Sequence, residues 1–129
     1  MQVIVRKFNP LTDSGLIYST YPKGVYHASY EPINKADDYK VKSKWFKDFY
    51  EQVKEQLLHS TVLIACTSEN TNTILGYAII TGNQLEWIYT KELFRNQGIA
   101  KLLLKQHKIE EYKHVTKVGH AILHKEGKL

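Results

Sequence analysis

Cysteine is nearly missing from this sequence: Cys66 is the only one among 129 residues. No disulfide can form within the chain, so a scaffold held by cross-links is excluded and a reducing compartment suffices. Proline is scarce, with three residues, and no Pro, Gly or Ser tract interrupts the chain. With 43% hydrophobic residues, the composition is that of a folded protein rather than a disordered one. No apolar run approaches the roughly 18 residues that a membrane span requires. The segment from Met1 to Arg6 lacks the basic region and long apolar stretch of a signal peptide. The cytoplasm is the expected location, with no membrane partner. Positive charge is in excess instead, at +5 with a pI near 9.2. Such a balance suits nucleic acid, anionic lipid or a phosphorylated small molecule. The basic residues are dispersed, however, and no nucleic-acid motif accompanies them, so nucleic acid is not the expected partner.

The length fits one compact domain spanning residues 1–129. Val3 to Phe8 reads as a first strand closed by Asn9-Pro10. Thr12 or Asp13 is placed to cap a short helix running through Tyr18. From Ser19 to Asp38 the chain holds Pro22, Gly24 and Pro32, and with its borders it gathers five of the nine tyrosines. This stretch reads as a structured loop or broken helix, because aromatic side chains need something to pack on. Ser43 to Leu58 is helical, with Phe46, Phe49, Tyr50, Val53 and Leu57 on one stripe. Val62 to Cys66 is a short apolar strand in which Cys66 reads as a buried structural thiol, not a nucleophile.

Ile74 to Thr81 and Gln84 to Thr90 are two β-rich runs separated by Gly82-Asn83, a strong hairpin signal. With Thr81 opposite Gln84, Ile79 falls opposite Glu86, Tyr77 opposite Ile88 and Leu75 opposite Thr90. One face then carries Tyr77, Ile79, Glu86 and Ile88, which sets an acidic residue among apolar neighbours.

Lys91 to Gln97 is polar, and Gly98 to Tyr112 reads as a helix with Ile99, Leu102, Leu103 and Ile109 inward. The first amides of such a helix have no internal partner and lie at the positive end of its dipole, a ready anion site. Gly98 and Ala100 leave little side-chain bulk there, and Lys101, Lys105 and Lys108 add positive charge. Local physics alone fits an ordinary strand–helix connection equally well. His114 to Thr116 reads as a further strand. Lys117 to Lys125 reads either as a last short helix capped by Thr116, or as part of a longer strand from Val115 to Leu123. His120 and His124 share a face at four-residue spacing; without a third ligand they read as solvated, and no metal is expected.

In its context, Arg95-Asn96-Gln97-Gly98-Ile99-Ala100 resembles the acetyl-CoA signature of the GNAT N-acetyltransferase family, Arg/Gln-x-x-Gly-x-Gly/Ala. It follows Tyr89-Thr90-Lys91-Glu92-Leu93-Phe94-Arg95, similar to the family's Tyr-Val-x-Pro-x-Tyr-Arg run, with Thr90 for Val and Glu92 for Pro. The resemblance covers about residues 61–112. It implies an α/β (α+β) fold in which helices flank a central mixed, mostly antiparallel sheet. It also implies that the amides from Arg95 to Ala100 hold the pyrophosphate of acetyl-CoA, that Ile88 and Thr90 pair with the pantetheine arm, and that the thioester lies in a slot beside this strand.

The implied reaction is direct attack on the acetyl group by an amine of a small molecule or protein. Glu86 is the candidate base, against the plainer alternative of a carboxylate at the solvent edge. Gln84 is placed to orient a water, and Tyr77 either lines the acceptor pocket or simply packs. The family's usual last strands, and the tyrosine acid on its last helix, are not matched. His120 or His124 is the substitute acid, and the short length resembles that of GNAT-like proteins of bacteriophages. The rival expectation is an inactive CoA-binding or assembly module, with a homodimer formed over an exposed sheet edge.

Overall fold

The computed structural model describes residues 2–30 and 39–112. In chain order the elements are β1 (Val3–Lys7), α1 (Pro10–Tyr30), α2 (Tyr39–His59), β2 (Thr61–Thr67), β3 (Ile74–Thr81) and β4 (Gln84–Thr90). A short 3-10 turn (Glu92–Phe94), α3 (Ile99–Lys105) and β5 (Glu111–Tyr112) follow. The strands form one sheet in the order β1-β2-β3-β4-β5. All neighbours are antiparallel except β4 and β5, which run parallel. Helices cover both faces: Ile17, Tyr21, Val25, Phe49 and Val53 of α1 and α2 pack on one, and Ile99, Leu103 and Leu104 of α3 on the other. β3 is therefore buried along nearly its whole length, which explains its unbroken apolar run.

The first helix is much longer than the sequence implied. Asn9 starts it, accepting the Leu11 amide at Oδ1 (3.1 Å) and the Thr12 and Asp13 amides at its carbonyl. Pro10 occupies the first helical position, where its missing N–H removes nothing. Pro22 lies well inside, yet the helix continues to Tyr30 rather than ending near Tyr18. Burial of Ile17, Tyr21 and Val25, spaced by four, outweighs the one hydrogen bond that Pro22 forfeits. Gly24 is required here because Trp87 lies beneath it: a Cβ at this position would come within 2.5 Å of the indole ring.

β1 is tied to α1 by a buried ion pair. Asp13, 1% exposed, accepts from Arg6 at both oxygens (2.7 and 2.8 Å), from the Asn9 amide, and from the Thr12 hydroxyl (2.9 Å). Asp13 thus anchors the helix from within its first turns instead of standing at its cap. In α2 the inward stripe is Trp45, Phe49, Val53 and Leu57, with Tyr50 turned partly to solvent at 38% exposure.

α3 also departs from expectation, ending at Lys105 instead of continuing to Tyr112. His107 Nε2 donates to the Gly82 carbonyl (2.7 Å), and the Glu110 amide donates to the Asn83 carbonyl (2.8 Å). These bonds draw the chain onto the hairpin loop, and β5 follows at Glu111. The expected strand at His114, the last helix, and His120 and His124 lie outside the described residues. Cys66 is fully buried. No helix among the described residues is long and apolar enough to cross a membrane.

Gly24→Ala is expected to destabilise the protein by about 1–3 kcal/mol, because rigid rings oppose the added methyl. Gly15→Ala in the same helix meets nothing within 4 Å and should stabilise by about 0.5–1 kcal/mol. Urea denaturation midpoints of the two variants check both signs.

A second expectation concerns acid. Burial disfavours the Asp13 carboxylate, but hydrogen bonds from Arg6, the Asn9 amide and Thr12 outweigh it and hold the pKa below its ordinary 3.8. A folded value below the unfolded one makes this contribution complete above the unfolded pKa and lost as pH falls toward the folded one. Asp13→Asn should therefore lower stability near neutral pH by about 3 kcal/mol. It should also flatten the fall in stability below about pH 4, read by circular dichroism during urea titrations at each pH.

Candidate functional site

The site is organised by an irregularity in the hairpin. Thr81 faces Gln84 as the sequence implied, but Ile80 then faces Leu85 and Ile79 faces Trp87, leaving Glu86 as the extra residue of a β-bulge. Beyond it Ala78 pairs with Ile88, Tyr77 with Tyr89 and Gly76 with Thr90. The uninterrupted register, which set Ile79 against Glu86 and Tyr77 against Ile88, is thus corrected by one residue. Trp87, not Ile88, joins Tyr77 and Ile79 on the α1–α2 face, while Ile88 packs on the α3 side.

Glu86 is 7% exposed and opens into a groove of about 520 Å³ between α2 and the start of β4. Tyr21 and Phe49 form its aromatic wall, and Glu51, Gln52, Glu55 and Gln56 line it along α2. The two rings meet edge to face at 5.2 Å. Burial pushes the Tyr21 hydroxyl up to about 12, against a hydrogen bond with Gln56 and reinforced by the charge of Glu86. Tyr21 is therefore a neutral phenol at physiological pH. Glu55 is paired with His59 at 3.1 Å on the exposed side of the helix.

Tyr77 does not line this groove. It is fully buried in the core, its hydroxyl 2.7 Å from that of Thr20, and burial holds its pKa well above the ordinary tyrosine value. Tyr21 takes the place on the groove wall that the sequence reading offered to Tyr77. Sequence reasoning also missed Phe49 as a wall residue, together with Glu51, Gln52, Glu55 and Gln56. Their signal was a run of acids and amides beside the apolar stripe of α2. Trp87 stacks on Tyr21 at 5.2 Å.

At its other end β4 runs into a turn. The Lys91 amide bonds the Leu75 carbonyl, and the Phe94 and Arg95 amides close the 3-10 turn on Lys91 and Glu92. Arg95 Nε donates to the Thr90 carbonyl at 3.1 Å, so this side chain braces the strand end. Asn96 and Gly98 take positive φ, +65° and +80°. The next helical bond is from the Leu102 amide to Gly98. Between them, the amides from Asn96 to Ala100 have no backbone acceptor among the described residues. Arg95 to Gly98 are exposed, and the buried Ile99 side chain pins the turn to the core. A Cβ on Gly98 would meet nothing within 4 Å, so the glycine serves its backbone angle. Successive amides in such a conformation form an anion-binding concavity.

The chain also approaches closely at Gly76, where a Cβ would lie 2.5 Å from the Tyr89 carbonyl oxygen. This holds the end of β4 tight against β3. On its other edge β4 pairs only through Gln84 with Glu111 and Leu85 with Tyr112. From Ile88 to Thr90 that edge has no strand partner among the described residues.

No protein-family model matches the sequence, and no curated protein is similar to it. Similarity to solved structures is extensive. A predicted acetyltransferase from Clostridium acetobutylicum, solved with acetyl-CoA, is 21% identical with a TM-score of 0.58, and the match covers 98% of this chain and 89% of that one. The ribosomal-protein-alanine N-acetyltransferase of Brucella melitensis is 14% identical with a TM-score of 0.55, covering 97% and 90%. A GCN5-related N-acetyltransferase from Rhodopseudomonas palustris is 13% identical with a TM-score of 0.54; the match covers 82% of this chain but only 63% of that one. The chain thus spans less than two thirds of the length of some of the proteins it resembles. Identities this low speak to architecture alone, and the architecture is that of the GNAT acyltransferase fold.

Proposed function

We propose that this chain is an acetyl-CoA-dependent N-acetyltransferase in which Glu86 receives the proton of the acceptor amine. The observation that carries this reading is the construction of β4. One end leads to a turn of unpaired amides, Asn96 to Ala100, suited to a pyrophosphate. Four residues before Thr90, about 13 Å back along the strand, the bulge points a buried carboxylate into an open groove. The neighbour from Clostridium acetobutylicum, solved with acetyl-CoA, supports the choice of ligand.

Acetyl-CoA supplies an acetyl group already activated as a thioester. In this reading the amides of Asn96, Gln97, Gly98, Ile99 and Ala100 hold its phosphates, with the backbone of Arg95 shaping the turn. The edge of β4 at Ile88 and Thr90, without a strand partner among the described residues, would pair with the pantetheine arm. The acceptor nitrogen enters from the groove and attacks the carbonyl carbon. A C–N bond forms, the C–S bond breaks, and the sulfur leaves with the electron pair. Glu86 takes the proton lost by nitrogen, and solvent protonates the sulfur. Tyr21, neutral and held by Gln56, keeps the aromatic wall beside Glu86 in place.

Calorimetric titration with acetyl-CoA tests the cofactor. Asn96→Asp introduces a negative charge facing the phosphates without new backbone strain, since Asp tolerates positive φ. It should weaken binding about tenfold, which corresponds to roughly 1.4 kcal/mol. Absence of binding to the unaltered protein would sink the proposal.

Glu86→Gln tests the base, because the amide keeps the shape but cannot take up a proton. The kcat for amine acetylation should fall by about 10²-fold or more, while acetyl-CoA affinity stays the same. An unchanged kcat would remove Glu86 from the mechanism.

A further inference from the structure

We infer that Tyr21 is a positioning residue for Glu86: its hydroxyl, anchored by Gln56, stands beside the carboxylate and directs it into the groove. This rests on the acyltransferase reading above and adds to it the group that holds the base.

Packing accounts for the ring of Tyr21 but not for its hydroxyl. The ring, 1% exposed, stacks on Trp87 (5.2 Å, 22° between planes) and meets Phe49 edge to face (5.2 Å, 88°). A phenylalanine would make both contacts, as Phe49 does in the same wall. Burying a hydroxyl costs free energy unless it finds partners. Trp87 is the residue that follows Glu86. Stacking on its indole therefore brings Tyr21 of α1 to the point on β4 where the carboxylate leaves the strand, and both residues line the same groove.

Burial keeps the phenol protonated, pushing its ionisation up to about 12. Gln56 of α2, half-buried on the groove, works against this shift through a hydrogen bond that favours the ionised form, so its amide N–H donates to the Tyr21 oxygen. The charge of Glu86 reinforces the shift, which sets the carboxylate within electrostatic reach of the hydroxyl. The phenolic O–H remains to be given, and an ionised carboxylate only accepts. The sequence of donors thus runs from the Gln56 amide to the Tyr21 oxygen, and from the Tyr21 O–H to Glu86. A glutamate side chain turns about several bonds and spreads over many rotamers unless something holds it. A base works only within hydrogen-bond reach of the nitrogen whose proton it takes. One donor held by two helices restricts those rotamers and leaves the second carboxylate oxygen to face the acceptor.

A double-mutant cycle on the full chain tests the pairing. Thiol release is followed with acetyl-CoA and whichever of pentylamine, 2-phenylethylamine and lysine is turned over fastest. Tyr21→Phe keeps the ring and removes the hydroxyl. It should lower kcat about tenfold, while the KM for acetyl-CoA stays the same. In a Glu86→Gln background the same substitution should change kcat by less than about twofold, because the base it acts through is gone. An equal factor in both backgrounds, or no effect in either, overturns the inference while acetyl transfer stands. Gln56→Met removes the anchor without touching the ring and should show the same dependence on Glu86 at about threefold; it decides the matter if Tyr21→Phe does not fold. If no amine is acetylated, the acyltransferase reading fails separately. Urea unfolding of Tyr21→Phe, alone and combined with Glu86→Leu, then decides. A roughly tenfold fall in the folded-to-unfolded ratio that vanishes beside Glu86→Leu upholds the pairing, and equal falls overturn it.

Discussion

The structure turns on the single extra residue in β4. Without the bulge at Glu86, strand alternation would send Glu86 and Trp87 to opposite faces of the sheet. With it, Trp87 enters the α1–α2 core while Glu86 opens into the groove beside the same helices. The indole then fixes α1: Gly24 clears the ring, and Tyr21 stacks on it at 5.2 Å. Phe49 meets Tyr21 edge-on, Trp45 stacks on Phe49, and α2 is carried along. The groove is what remains between this aromatic column and the strand. Its aromatic wall is therefore a consequence of one register shift, while Glu86 keeps the face that plain alternation gives it.

A good part of this was legible in the sequence, and the reasons for the failures are specific. The β3–β4 hairpin was clear because Gly82-Asn83 separates two β-rich runs, and pairing at Thr81 and Gln84 followed from the two-residue loop. The turn stood out through the resemblance of Arg95 to Ala100 to the acetyl-CoA signature, local physics alone fitting an ordinary connection equally well, and Gly98 there takes positive φ. The bulge was not visible. Nothing in Leu85-Glu86-Trp87 signals that one residue will be skipped, since the choice depends on whether a tryptophan or an isoleucine fits beneath α1. The helix through Pro22 failed for a related reason. Proline and glycine are read locally as breaks, whereas here Pro22 sits in a buried stripe and Gly24 is a packing contact. α3 was overextended because the bonds that end it, from His107 and Glu110 to the hairpin loop, are tertiary.

The candidate sites at the two ends of β4 differ in construction, and this explains why one was easier to read. The turn from Asn96 to Ala100 presents backbone amides, so its requirements fall on φ angles and small residues, which sequence displays. The groove is lined by side chains from three elements far apart in the chain: Tyr21 in α1, Phe49 to Gln56 in α2 and Glu86 in β4. No local pattern joins them. Tyr77 illustrates the difference, because adjacency in the hairpin suggested the groove while packing placed it in the core with Thr20.

Charge follows the same division. A basic protein that handles a polyanionic ligand at one end of a strand would attract anions along its whole surface unless the other end opposed them. Glu51, Glu55 and Glu86 create that opposition at the groove. Because exposed charges act over roughly a Debye length of about 8 Å at physiological salt, separation along β4 by about 13 Å keeps the two fields distinct. In the proposed reaction, phosphates are favoured at the turn and cations at the groove, and each ligand is disfavoured at the other's site. On that proposal one strand would order both ligands before any chemistry begins, and the burial of Glu86 would confine the proton acceptor to the point where the two meet.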